Sequence, residues 1–328
     1  MITIAYITGR LEPRFDLFAD SIAPQLKPTD QVVFVDNFAQ FNPNRINEYR
    51  DMVDGRFDML HIPPKPSIWL GAHRKARRAF YDTSGTRNTA IIVAEHNYIV
   101  FVDDLTAVYP GWRDFHQKAA DRSWVFCGAY QSVVGLKVLP DGSIHHSKVG
   151  GVDSRMKHQL TNDPIRNYGS WLFGSNTGIP LECLLKVNGY DEFCARRGGE
   201  DCQLGVRLEN AGFKERMYYD KNCMVAEDQW YHHAVANSTH LTLINKEYPL
   251  RRWKTDDDES RKQDKGCEIP EKMDLIERDH LYDAGGYLTL SKDCDIKAER
   301  ELYRKTGTFR SVKNDTFTDY DGQPLGEM

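Results

Sequence analysis

Two places in this chain set carboxylates side by side where chemistry could use them. The first is Asp103-Asp104, at the end of the apolar run Tyr98-Ile-Val-Phe-Val. The second is Glu200-Asp201, directly behind Gly198-Gly199. Acids at the end of a buried strand are costly to desolvate unless something pairs with them. A divalent cation with hard oxygen ligands, Mg²⁺ or Mn²⁺, suits Asp103 and Asp104; a solvated acidic turn before Pro110-Gly111 suits them equally. Glu200-Asp201 stands where a helix begins, and the helix dipole accounts for one of the two acids. The paired glycines ahead of it allow close backbone approach to a ligand. His145-His146 lacks metal-ligand spacing and reads as a surface turn, whereas His232, His233 and His240 add ligand-capable side chains downstream.

These groups need a frame. Ile2 to Ile7 reads as a first strand, and Phe15, Leu17, Phe18, Ile22 and Leu26 form a helical stripe that stops near Pro28. Gln31-Val-Val-Phe-Val-Asp36 is a second buried strand. This β-α-β order predicts a parallel sheet with a right-handed crossover, whose ligands gather beyond the carboxyl ends of the strands. Thr8, Arg10, Asp36 and Asp103 fall on that rim. Phe57 to Ile62 reads as a short strand, and Thr86 to Ala94, after a Ser84-Gly85 break, as a helix feeding the strand at Tyr98. The basic segment with Arg74, Lys75, Arg77 and Arg78 is either a solvated helix face or a contact for phosphate or another anion. Strands are expected at Trp124 to Tyr130 and Gly135 to Leu139, with a hairpin turn at Pro140-Asp-Gly142. Trp171 to Gly178 suits a loop where backbone meets a ligand, and Pro180 to Val187 a short helix.

The chain has 328 residues, 40% hydrophobic and 28% charged, enough for one large core or two modest ones. A net charge of -5 gives no general attraction to nucleic acid or anionic membrane. No apolar run approaches the roughly 20 residues of a membrane helix, and the first residues lack signal-peptide features. The seven scattered cysteines, with no C-x-x-C pair, fit free thiols in a reducing compartment. A soluble, intracellular (cytoplasmic) protein is expected, from a cellular or a viral genome. Beyond about residue 250 the sequence turns polar and charged, with one helix expected at Ile296 to Tyr303. This region is expected to pack on the main domain or to mediate contacts.

Together the motifs resemble the family-2-like GT-A glycosyltransferases over roughly residues 1–255. The resemblance rests on Asp36 at the end of the second strand, Thr86-Arg87-Asn88 before the acidic strand, and Asp103-Asp104 with the trailing Pro-Gly-Trp112. Gly174-Ser-Asn-Thr-Gly-Ile-Pro, Val-Asn-Gly189-Tyr-Asp-Glu192 and Gly-Gly-Glu200-Asp201 then follow in order. It implies an α/β, Rossmann-like GT-A fold with a mixed, mainly parallel sheet flanked by helices. It implies a glycosyltransferase domain at 1–250, with a nucleotide-sugar half (1–112) and an acceptor half (113–250), and a C-terminal extension at 251–328. By the same resemblance Thr8, Arg10, Asp36, Arg87, Asn88 and Asp103 bind the donor, with Asp36 meeting the base, commonly uracil. Asp103 and Asp104 hold Mn²⁺ or Mg²⁺, and His232 or His233 completes the shell. Asp201 is the general base and Glu200 orients it or the acceptor. The third position of the family's Asp-x-Asp is Leu105 here, so the metal is expected to rest on the two preceding acids, with Asp104 as the direct ligand.

The implied reaction is in-line, inverting transfer of a sugar from a nucleotide diphosphate, by default a UDP-sugar, to an acceptor hydroxyl. The cation offsets charge on the diphosphate leaving group, cationic side chains such as Arg87 or Arg74 help hold it, and a carboxylate takes the hydroxyl proton. A glycan, a protein side chain, a lipid-linked sugar and a hydroxymethylated DNA base all present such hydroxyls. Two rivals remain: a nucleotidyltransferase, for which Thr8-Gly9-Arg10 is too sparse a phosphate loop, and a non-catalytic nucleotide-sugar-binding protein, which Leu105 allows.

Overall fold

The computed structural model describes residues 1–39, 44–66, 82–190, 192, 200–228 and 295–309. The basic segment around Arg74 to Arg78, Gly198-Gly199, His232, His233 and His240 lie outside the described residues.

Twelve strands are described: β1 (Thr3–Thr8), β2 (Gln31–Asp36), β3 (Met59–Ile62), β4 (Tyr98–Asp103), β5 (Thr106–Val108), β6 (Val125–Val134), β7 (Lys137–Val138), β8 (Ile144–His145), β9 (Lys148–Val152), β10 (Ile165–Arg166), β11 (Thr177–Pro180) and β12 (Met217–Asp228). Ten form one mixed sheet in the order β10-β12-β6-β11-β4-β1-β2-β3, with β5 added to β12 and β9 to β6. β4, β1, β2 and β3 run parallel. β11 lies antiparallel between β4 and β6, and β12 pairs parallel with β6. The hairpin expected at Pro140-Asp-Gly142 is present, with β7 and β8 paired across it and His145 exposed.

β1 is buried throughout, as a strand covered on both faces must be. Successive side chains point to opposite faces. Ala5 and Ile7 pack with Ile91 and Ile92 of helix α3 (Thr83–Val93). Ile4 and Tyr6 pack on the other side with Phe15 and Phe18 of α1 (Phe15–Ile22). Tyr6, Phe15 and Phe34 form a close aromatic group, with Phe15 stacked on Phe34 at 4.6 Å. The remaining helices among the described residues are α2 (Asn44–Met52), α4 (Trp112–Asp121), α5 (Leu181–Lys186), α6 (Glu200–Leu208) and α7 (Ile296–Thr306). No helix among the described residues is long and apolar enough to cross a membrane.

Ser84-Gly85 does not break the chain; it lies in the first turn of α3. The Asp82 carboxylate caps that turn by accepting from the Gly85 N–H at 2.7 Å. A Cβ at 85 would collide with the same carboxylate, which explains the glycine. Arg87 and Asn88 therefore occupy the second turn of a fully buried helix, not its start.

The register sets the rim. Thr8 stands opposite Asp36, and Ile7 opposite Asp103, so the ends of β1, β2 and β4 coincide. After Asp104 the chain turns through Leu105, which has a left-handed φ of 62° and no exposed surface. Its N–H donates to Pro13 O at 2.9 Å. On the far side, Asn176 fastens the segment before β11: it accepts from Trp112 Nε1 at 2.8 Å and donates to Ala129 O and Cys223 O, both at 2.9 Å. His116 also meets Asn176 at 3.0 Å, and burial pushes this imidazole down to about 4.

Candidate active site

The centre of the rim is Arg87, 1% exposed. Its Nη1 donates to Glu200 Oε1 at 2.7 Å and to Asp201 Oδ1 at 2.8 Å. Its Nη2 donates to Asp103 Oδ1 at 2.9 Å. One guanidinium thus joins the acid at the end of β4 to both acids at the start of α6. The buried, planar fork of arginine suits this task in a way that lysine does not. Tyr190 lies beside it, with its ring 5.2 Å from the guanidinium carbon.

Asp201 is anchored a second time, since its Oδ2 accepts from the Gly174 N–H at 2.9 Å. A Cβ at position 174 would overlap Arg87 Nη2 and Asp201 Oδ1. Glycine is required there for close approach to the carboxylate. Burial, reinforced by the charges of Glu200 and Asp103, pushes the Asp201 carboxyl up to about 8, while Arg87 and the Gly174 N–H pull the other way. The same carboxylates raise Arg87 against the cost of its own burial.

Asp104 faces the opposite direction. Its Oδ2 accepts from Thr8 Oγ1 at 2.7 Å and its Oδ1 from Arg10 Nε at 3.0 Å. Arg10 is 2% exposed, so Thr8, Arg10 and Asp104 form a closed unit at the β1 end. Asp36 is fully buried, accepting from Arg45 Nε at 2.8 Å and the Phe38 N–H at 2.9 Å, with His61 Nε2 at 3.2 Å. Arg45 also donates to Leu11 O, which ties the loop after β1 to the end of β2. Neither Arg45 nor His61 stands out in the sequence: α2 carries no apolar stripe, and His61 sits inside a short strand. Asn88 holds the 190 turn: it donates to Tyr190 O at 2.9 Å and to Glu192 Oε1 at 2.8 Å, and accepts from the Tyr190 N–H at 2.8 Å.

Arg87, Asp103, Glu200 and Asp201 therefore form one ion-paired group, and Thr8, Arg10 and Asp104 a second, joined through the Asp103-Asp104 backbone. Asp36 and Asn88 have their own hydrogen-bond sets. Among the described residues these two groups contain the guanidiniums of Arg10 and Arg87 and the carboxylates of Asp103, Asp104, Glu200 and Asp201. Among the described residues no three His, Cys, Asp or Glu side chains converge as a ready metal shell. Asp103 is the carboxylate that fits a hard cation, because its side chain is 37% exposed and Arg87 meets only Oδ1. Asp104 can join it only by loosening Arg10.

No family model matches the chain, and no curated protein matches its sequence. Solved structures do match. TarS from S. aureus, residues 1-349 in complex with UDP-GlcNAc, is 13% identical over 70% of this chain and 58% of that one, with a TM-score of 0.50. GalNAc-T7 with UDP, GalNAc and Mn²⁺ is 12% identical over 94% of this chain and 58% of that one, with a TM-score of 0.51. The chain thus spans less than two thirds of the length of either. At this identity the likeness concerns architecture alone: a mixed, mostly parallel sheet flanked by helices. This chain has the GT-A fold of the glycosyltransferases.

Proposed function

We propose that this chain is a glycosyltransferase that moves a sugar from a nucleotide diphosphate, by preference a UDP-sugar, to an acceptor hydroxyl with inversion. The observation that carries this reading is the Arg87 junction. It puts the exposed acid of β4 and the buried pair of α6 on one guanidinium, so a donor-side and an acceptor-side carboxylate share one site.

In this reading Asp103 meets the donor side and, with Asp104, is where a divalent ion would be held. When bound, Mn²⁺ or Mg²⁺ offsets charge on the departing diphosphate. His232 and His233 are candidates to complete its shell. Arg10 and Thr8 border the phosphates, and Asp36 fixes the base-side loop through Arg45. Asp201 takes the acceptor proton, with Gly174 and Arg87 holding both its oxygens in place. Glu200 shares Arg87 and so fixes the side from which Asp201 is approached.

The test is release of nucleoside diphosphate from a panel of nucleotide-sugars with Mn²⁺, with and without acceptors. Transfer that Asp201→Asn reduces ~10²–10⁴-fold, the range for general-base help, supports the reading. Donor binding without turnover on any acceptor would instead favour a non-catalytic binding protein. A hydroxymethylated DNA acceptor is tested separately: duplex binding should weaken steeply with salt, and salt-insensitive binding removes that acceptor.

A further inference from the structure

The C-terminal helix α7 reaches the site through a buried lysine. Lys65, 2% exposed, places Nζ 2.9 Å from Glu192 Oε1 and 3.4 Å from Glu299 Oε2 of α7. Glu192 Oε1 also accepts from Asn88, one residue from Arg87. The Lys65 N–H donates to Thr89 Oγ1 at 2.8 Å, so the lysine is fixed to α3 by its backbone as well.

α7 grips the same region at two further points. Arg300 Nη1 donates to Ile91 O at 2.7 Å and Ile92 O at 2.9 Å, at the end of α3. The Ile296 N–H donates to Asn188 Oδ1 at 2.9 Å. Asn188 and Gly189 both have a left-handed backbone, with φ of 58° and 71°. This turn is held by α7 through Asn188, by α6 through Arg207 donating to Gly189 O at 2.9 Å, and by α3 through Asn88. A Cβ at 189 would meet Asn88 and come within 3.1 Å of Ile296 Cγ1, so the helices converge tightly there. Tyr190, which follows, lies against Arg87.

We propose that Lys65 and Glu299 are positioning residues for the site: they transmit the docking of α7 through Glu192 and Asn88 to Tyr190 and Arg87, and so to Asp201. The proposal rests on the glycosyltransferase reading for its kinetic part only. Its structural part is read at the Tyr190 amide, which donates to Asn88 Oδ1 and leads directly into the ring that lies against Arg87.

The experiment compares the unsubstituted 328-residue chain with Lys65→Met, Lys65→Arg and Glu299→Gln. Hydrogen exchange is followed at Tyr190 and, as an internal control, at Ile4 and Tyr6 of β1. Steady-state kinetics use the donor that wild type accepts. The expected result is about tenfold faster exchange at Tyr190 in Lys65→Met with β1 protection unchanged. It comes with at least a fivefold loss of kcat and a donor KM within twofold of wild type. Glu299→Gln should show the same pattern more weakly, and Lys65→Arg should restore most of both. Unchanged Tyr190 exchange in Lys65→Met and Glu299→Gln overturns the proposal, as does loss of protection in β1 and Tyr190 together in both variants. Wild type that transfers no sugar, while Tyr190 exchange still responds as described, sinks the glycosyltransferase reading and leaves the coupling standing.

Discussion

Arg87 Nη1 lies 2.8 Å from Asp201 Oδ1, although 114 residues separate them in the chain. The contact belongs to a group in which one buried cation meets the buried Glu200 and Asp201 and the partly exposed Asp103. Breaking a buried ion pair by removing one partner typically costs ~3–5 kcal/mol, because the other charges stay buried. Arg87→Met should lower unfolding stability by about that amount near neutral pH. Urea unfolding followed by circular dichroism measures it; a loss below about 1 kcal/mol would mean that water reaches the carboxylates.

Asp201 also predicts a pH dependence. Its carboxyl is pushed up to about 8 by burial, well above the usual aspartate range. If Asp201 is the base, kcat/KM should fall about tenfold per pH unit below about 8, since only the ionised form accepts a proton. The stability term has the opposite slope. The folded state holds the proton more tightly than the unfolded chain, so this contribution is full below the unfolded value and is lost as pH rises through about 8. Asp201→Asn should flatten that part of the stability profile. A wild-type acid limb near 4 would contradict the assignment.

Leu105 stands where an acid would complete the Asp-x-Asp, yet its side chain is buried in a left-handed turn. Leu105→Asp should therefore fail to tighten Mn²⁺ binding, and should destabilise by burying a carboxylate. Leu105→Ala should cost ~2–5 kcal/mol, as for other buried leucines. Calorimetric titration with Mn²⁺ and thermal unfolding check both. Tighter Mn²⁺ binding by Leu105→Asp would show that the 105 side chain can reach the rim.

Asp104 is neutralised by Arg10 at 3.0 Å. Arg10→Met should strengthen Mn²⁺ binding to the free protein several-fold, because the Asp104 carboxylate loses its cationic partner. Asp103→Asn should weaken it. Electron paramagnetic resonance of bound Mn²⁺ separates the two, and equal affinities in wild type and Arg10→Met would detach Asp104 from the cation.

The parallel half of the fold could be read from the residues, because β1, β2 and β4 are runs of β-branched and aromatic side chains buried on both faces. In the rest of the described chain β6, β7, α5 and α6 were legible as well, but α2 and β12 were not. α2, Asn44–Met52, buries only Arg45 and has no apolar stripe. β12, with the sequence MYYDKNCMVAED, looks polar and owes its strand form to pairing with β6, β5 and β10. The acids of the site were visible by type and position. The role of Arg87 as their common partner was not, because nothing local links it to a carboxylate 113 residues away. Periodicity placed its helix three residues late, since the Asp82 cap and the Gly85 it requires look like a break.

The glycine at 174 has a consequence for finding relatives. Whole-chain similarity is weak here, at 12% and 13% against the two GT-A structures. The junction imposes a stricter signature than the fold does: an Arg sixteen residues before an Asp at a strand end, and a Gly twenty-seven residues before the second Asp. No side chain can replace the hydrogen at 174 without displacing the guanidinium, so changes at these positions must be accepted together or rejected. A search keyed to this sparse pattern, tolerant of everything between, should retrieve proteins that share the junction when overall alignment finds none.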